Sequence, residues 1–186
     1  MAKLKGGGRR GGRAGSPTGA GILKIALEAE KDGLEMYLKA SERALYPLGR
    51  QMLLSLAEDE KSHIRMIREL AAGRGLQSAL NEAREGSPTE RMRNAMTALK
   101  GVVMDDLSVC ADELEVLRIG LDMEKRSYEF YKQGAKDAVS KDESSLCEKL
   151  AAEEGEHYRM LQNTYEYLED RAHWFLWTEH GLLDGG

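Results

Sequence analysis

The sequence predicts an all-α protein, a bundle of four long helices built as two helical hairpins with a long crossover between them. Three observations carry that prediction. Ala, Leu, Glu, Lys, Arg and Met dominate residues 22–172, while aromatic residues make up 6% of the chain and proline occurs three times, a composition of long helices rather than strands. Apolar residues recur at three- and four-residue spacing in four separate stretches. A shift of 94 residues also lays the second half of the chain on the first without a gap.

At 186 residues the chain is long enough for one domain with a real core. Residues 1–21 hold eight of its twenty glycines and five cations with no acid, so they are expected to be a flexible basic tail. That Gly/Arg mixture is short and lacks the aromatic residues that stack on bases, so a solvated tail is expected in preference to an RNA-binding segment. The net charge of −5 leaves −10 on the remainder, and an acidic body is a poor partner for nucleic acid.

The first helix is expected over residues 22–45, with Leu23, Ala26, Leu27, Leu34, Tyr37 and Ala40 on its apolar stripe and Glu30 among them. Pro47 marks a turn into the second, 48–72, whose stripe of Leu53, Leu56, Ala57, Ile64, Ile67, Leu70 and Ala71 contains Glu60 and His63. Glu42, Arg50, Asp59, Lys61 and Arg68 are expected on solvated faces. Gly73 to Gly75 end this hairpin, and residues 76–111 form the crossover. Within it, Ser87-Pro88-Thr89-Glu90 has the spacing of a capping box with Pro at the first helical position, opening a helix to about Val103.

Asp105, Asp106 and Asp112 are candidate caps for the third long helix, 113–139, with Leu117, Leu121, Tyr128 and Tyr131 on its stripe beside Glu124. The fourth, 142–170, carries Cys147, Leu150, Ala151, Tyr158 and Leu161 with Glu154 and His157 among them. Together these helices form a domain over 22–172. Residues 173–186 are a C-terminal aromatic extension in which Trp174, Phe175 and Trp177 are expected to cover the bundle or a neighbouring subunit. His173, Glu179 and His180 have no partner at ligand spacing and read as surface residues.

The 94-residue shift maps Glu30 to Glu124, Tyr37 to Tyr131, Glu60 to Glu154 and His63 to His157. Counted from the turn at Pro47, Glu30 and Glu60 sit within about 6 Å of one level at ~1.5 Å per residue. A residue at i+3 is rotated about 60° and rises about 4.5 Å, so Glu60 and His63 can reach one ion, as can Glu154 and His157. Among twenty-two glutamates one Glu-x-x-His pair is weak evidence; two at a fixed offset, each preceded at one distance by another Glu, are not. Four carboxylates and two imidazoles facing each other inside a bundle are costly unless cations lie between them, and two divalent ions cancel four negative charges. Hard oxygen with imidazole nitrogen suits iron or manganese rather than structural zinc. Tyr37 and Tyr131 are either hydrogen-bond donors to these carboxylates or packing residues.

The pattern of Glu30, Glu60-x-x-His63, Glu124 and Glu154-x-x-His157 resembles the ferritin-like di-iron carboxylate proteins. The segments EAEKDGLEMY, EDEKSH, DMEKRSYEFY and AEEGEH are similar specifically to the rubrerythrin family, over residues 22–170. The resemblance implies a ferritin-like four-helix bundle, usually a homodimer, with a non-haem di-iron centre that reduces hydrogen peroxide, or dioxygen, in oxidative-stress defence. In that reading Glu60/His63 and Glu154/His157 each anchor one iron, and Glu30 and Glu124 complete or bridge the pair. Rubrerythrins proper draw electrons from a rubredoxin domain with four cysteines; this sequence has Cys110 and Cys147 alone, so an external donor protein such as a rubredoxin is expected. The family's additional Glu one turn after the third-helix ligand is replaced by Ser127. Ferroxidase or iron-storage work is the alternative function, and a non-catalytic metal-binding bundle a third.

The two cysteines do not make a disulfide framework, no stretch approaches the roughly 20 apolar residues of a membrane span, and the N-terminus lacks the apolar centre of a secretory signal. A cytoplasmic protein with free, packed thiols is expected.

Overall fold

The computed structural model of the chain describes residues 19–44, 47–98 and 111–169, and every regular element among them is a helix. α1 (Gly19–Arg43) and α2 (Pro47–Ala71) form the first hairpin. α3 (Gly75–Asn81) and α4 (Pro88–Ala98) lie in the crossover, and α5 (Ala111–Asp137) and α6 (Lys141–Glu169) form the second hairpin. α1 packs chiefly on α2 and α5 chiefly on α6, while α3 and α4 both lie against α2 and α6. This is the all-α ferritin-like bundle expected from the sequence.

The ends of the helices follow local chemistry. Pro47 opens α2, a position where its missing N–H costs nothing. Gly73, at φ +74°, closes it: its N–H donates to the Leu70 carbonyl at 2.9 Å and that of Arg74 to the Glu69 carbonyl at 3.2 Å, a Schellman pair that requires the left-handed backbone of glycine. Ser87 and Glu90 cap α4 reciprocally, the Ser87 N–H donating to Glu90 Oε2 at 2.7 Å and the Glu90 N–H to Ser87 Oγ at 3.2 Å. Glu156 on α6 then accepts from the Thr89 N–H and hydroxyl at 3.2 and 3.0 Å, which fixes the start of α4 against the bundle.

Two apolar clusters fill the interior. One joins Ile22, Ala26, Met66, Ile67, Tyr131, Leu146 and Leu150; the other joins Tyr37, Leu53, Leu56, Ala57, Leu117 and Leu161. Along each long helix the sequence passes from one cluster to the other through the acidic and histidine residues, so the charged side chains form a layer between them. Each apolar side chain buried is worth about 1.5–3 kcal/mol, whereas buried charges recover their desolvation only when well paired. A layer of charge at mid-bundle therefore points to a function other than stability.

The structure departs from the sequence expectations in a few places. The seven-residue α3 was not anticipated as a separate helix, and the expected end of α4 near Val103 lies outside the described residues. Asp112 lies inside α5 instead of preceding it, and Ala71 is exposed. Cys147 is a buried free thiol whose pKa burial raises to about 11. Cys110, Asp105, Asp106, residues 1–18 and the aromatic extension with Trp174, Phe175 and Trp177 lie outside the described residues, as do His173, Glu179 and His180.

Candidate metal centre

Glu30, Glu60, His63, Glu124, Glu154 and His157 converge at the middle of the bundle, each at most 3% exposed. They fall into two overlapping groups, Glu30, Glu60, His63 and Glu154 in one and Glu60, Glu124, Glu154 and His157 in the other. Within each group one potential ligand atom per residue lies within 4.8 Å of all the rest. Glu60 and Glu154 belong to both groups. The geometry thus gives the shared position to the glutamates of the two Glu-x-x-His pairs and leaves Glu30 and Glu124 at the ends.

The imidazoles are presented one way round. His63 Nδ1 lies 2.9 Å from Glu30 Oε2 and 3.1 Å from Glu154 Oε1, and His157 Nδ1 lies 3.2 Å from Glu154 Oε2. The far nitrogens point away from the centre, His63 Nε2 to Glu153 Oε2 at 3.1 Å and His157 Nε2 to Asp59 Oδ2 at 3.2 Å. A carboxylate that accepts from Nε2–H keeps the proton on that nitrogen, so it is Nδ1, once it gives up its own proton, whose lone pair faces the other acids. The rings stack with centroids 5.7 Å apart.

The supporting contacts cross between the hairpins. Tyr37 on α1 donates a hydrogen bond to Glu124 on α5, and Tyr131 on α5 donates to Glu30 on α1. Asp59 on α2 holds the histidine of α6, and Glu153 on α6 holds the histidine of α2. Each half-site is therefore oriented by side chains of the other half, as two copies of one hairpin related by a pseudo-twofold would require. Gly33, one turn after Glu30, is matched by the half-buried Ser127 in the repeat. A Cβ at Gly33 would stand 3.3 Å from Glu60 Cδ, so a larger side chain there would press on the shared carboxylate.

Protonation follows from burial and crowding. Burial, then the charges of Glu30 and Glu154, push the Glu60 carboxyl well above its ordinary range. Burial and Glu154 raise Glu124 to about 8. Burial opposes the imidazolium of His63, but Glu30 and Glu154 outweigh it and hold its pKa well above 6.5; Glu124 and Asp59 do the same for His157. Glu154 is the exception. Burial works against its charge, yet the hydrogen bond from Glu124 and the charge of His63 hold it well below its ordinary range.

Asp59 corrects the sequence reading. Expected on a solvated face, it is 1% exposed, accepts from His157, and is paired with Arg84 and, at 2.9 Å, with Arg91 Nε. Helical periodicity alone does not single out Glu153, Arg84, Arg91 or Lys149 either. Glu153 lies 94 residues after Asp59, and both immediately precede a glutamate of the buried cluster, so the repeat itself held the signal. As a prediction, Asp59→Asn should weaken metal binding about 10–100-fold. Titration of the metal-free variant with Co(II) measures this; an unchanged affinity would show that the Asp59–His157 contact does not orient the ligand.

The six residues fit a pair of divalent ions. Glu154 Oε1 is buried and accepts no hydrogen bond of good geometry, though it points into the shared space beside His63. Such an orphaned carboxylate oxygen is a cation ligand in waiting, and four carboxylates with two imidazoles match the charge of two divalent ions.

Comparison with known proteins bears on the fold and the family. The family model described as Rubrerythrin matches residues 21–165. The solved structure of a hypothetical protein from Pyrococcus furiosus is 22% identical, superposes with a TM-score of 0.60 over 81% of this chain and 90% of that one, and shares the fold. No curated protein matches significantly. With a family match that reaches into all four long helices and includes all six residues of the cluster, the chain belongs to the rubrerythrin family.

Proposed function

We propose that the protein is a non-haem di-iron oxidoreductase that reduces hydrogen peroxide, or dioxygen, with electrons from an external donor protein such as a rubredoxin. The overlap of the two candidate ligand groups at Glu60 and Glu154 carries the reading, because ions held by both groups would lie side by side with shared carboxylates. Glu30 with His63, and Glu124 with His157, would complete the two positions. Bound iron would supply two one-electron redox centres, which matches the two electrons and two protons consumed when one peroxide becomes two waters. The chain's own part is to hold the ligands and exclude bulk water. Tyr37 and Tyr131 fix Glu124 and Glu30 through hydrogen bonds. Burial and the neighbouring carboxylates keep both phenols protonated, so they act as donors and not as ligands. Oxygen and nitrogen donors also accommodate manganese.

Ferroxidase or iron-storage work is the second reading. Ser127 favours it, since no carboxylate stands one turn after Glu124. Anaerobic loading with Fe(II) followed by mixing with peroxide or with dioxygen separates the two. Fast oxidation by peroxide at two irons per chain supports the peroxidase, uptake continuing beyond two supports iron handling, and no oxidation by either reagent leaves a metal-binding bundle without turnover. No helix among the described residues is long and apolar enough to cross a membrane. We place the protein in the cytoplasm as a homodimer, a state that light scattering of the purified chain tests directly.

A further inference from the structure

The two half-sites are copies of each other, but one side chain that touches both has no copy. Arg91, on α4 in the crossover, is 9% exposed. Its Nε forms an ion pair with Asp59 Oδ1 at 2.9 Å, without the alignment of a hydrogen bond, and its Nη2 donates to Glu153 Oε2 at 3.3 Å. These are the carboxylates that hold His157 Nε2 and His63 Nε2. The chain of contacts runs from one imidazole through Glu153, Arg91 and Asp59 to the other. Arg84 pairs with Asp59 alone, and Lys149 with Glu153 alone at 2.6 Å. Of these three cations Arg91 is thus the one common to both halves.

From this geometry we infer that Arg91 is a positioning residue that couples the two metal positions, so that filling one prepares the other. The inference rests on the two-metal reading of the site. A guanidinium is a rigid planar fork whose separate nitrogens hold two carboxylates in fixed directions, whereas the three donors of a lysine share one freely rotating nitrogen and impose no such geometry. An ion that binds the His63 position fixes that ring, and the ring fixes Glu153 through Nε2–H. Arg91 passes the constraint to Asp59 and so to His157. The second ion then meets a ligand whose ordering cost has already been met, and such a saving appears as positive cooperativity. Arg91 is itself well anchored: α4 is capped by Ser87 and Glu90, tied to Glu156 through Thr89, and seated in the core by the buried Met92.

The test is a titration of the full metal-free chain with Co(II) under anaerobic conditions, followed by calorimetry and by the visible d–d absorption of the bound ion. Wild type is expected to take up two ions in one cooperative transition. Arg91→Gln is expected to take them up in two separated steps, the weaker about tenfold or more below wild type, with an altered d–d spectrum for the second ion. Arg91→Lys keeps the charge and tests the fork: it should restore thermal stability but still show two steps. An Arg91→Gln titration that superposes on wild type overturns the coupling, whatever happens to its melting temperature. Should Arg91→Gln fail to fold, a single cooperative transition in Arg91→Lys overturns it equally. A wild-type chain that takes up no Co(II) instead defeats the two-metal reading on which the inference rests.

Discussion

Glu60→Gln is expected to abolish the binding of two ions and yet raise the stability of the metal-free protein, whereas Glu154→Gln abolishes the same binding and lowers that stability. Both residues belong to both ligand groups, so either change removes a carboxylate from each position. Their charges sit differently. Glu60 has its pKa raised by burial and by Glu30 and Glu154, so above the ordinary carboxyl value of 4.5 its ionisation opposes folding, and a neutral amide relieves the cost. Glu154 has its pKa held down, against burial, by Glu124, His63 and His157, so its charge contributes stability above that value and the amide forfeits it. Thermal melts at neutral pH check the pair, with metal content measured alongside. Parallel losses of stability in both variants would mean that the electrostatic asymmetry is wrong; two ions retained in either would mean that the ligand assignment is. A gain in stability on removing a buried ligand is the usual mark of a site kept for function.

The second large effect is the response of metal-bound and metal-free protein to pH. Glu60, Glu124, His63 and His157 all have raised pKa values, Glu124 to about 8, so near neutrality they hold protons that a cation must displace. Metal affinity should therefore rise with pH. In the metal-free protein the signs run the other way. The contribution of a raised histidine is full below 6.5 and is lost as pH climbs through its folded value. A raised glutamate becomes a growing cost between 4.5 and its folded value. Asp59 and Glu153, both held down by their histidine and cationic partners against burial, keep their contribution throughout this range and lose it only in acid. Each ion at 100 times its Kd should stabilise the fold by about 2.7 kcal/mol, so two filled positions by about 5.4 kcal/mol, or a rise in Tm of roughly 10–20 °C for a chain of this size. The gap between loaded and metal-free Tm should widen from pH 6 to pH 8. A constant or narrowing gap in paired melts would contradict the proton displacement.

The six residues that cluster at mid-bundle and the two tyrosines were legible in the sequence because each lies on a helical stripe and each recurs after 94 residues. Helical periodicity tells which residues face inward, and the repeat tells which of the polar ones are there for a common reason. The same logic misplaced Asp59. One residue before Glu60, it is rotated about 100° from the inward direction, and periodicity assigns that flank to solvent. It is buried because α4 lies across that side of α2 and brings Arg91 to it, with Arg84 from the preceding loop. The path of a crossover is a tertiary fact that the stripe of α2 does not encode. Only the Asp59/Glu153 match could have exposed it, and the change from Asp to Glu makes that match easy to pass over. Likewise the spacing put Tyr37 on the stripe of Glu30, but its hydroxyl reaches Glu124 on the opposite hairpin. The capping box at Ser87 was readable, since both of its partners lie within four consecutive residues.

The central claim is that six residues from two copies of one hairpin form a single two-metal site. A crystal structure of the chain loaded with Fe(II), with anomalous scattering recorded at the iron edge, tests it most directly. Two peaks are expected in the mid-bundle layer, one against Glu30 and His63 and one against Glu124 and His157, with Glu60 and Glu154 between them. A single peak, or peaks away from these residues, would contradict it.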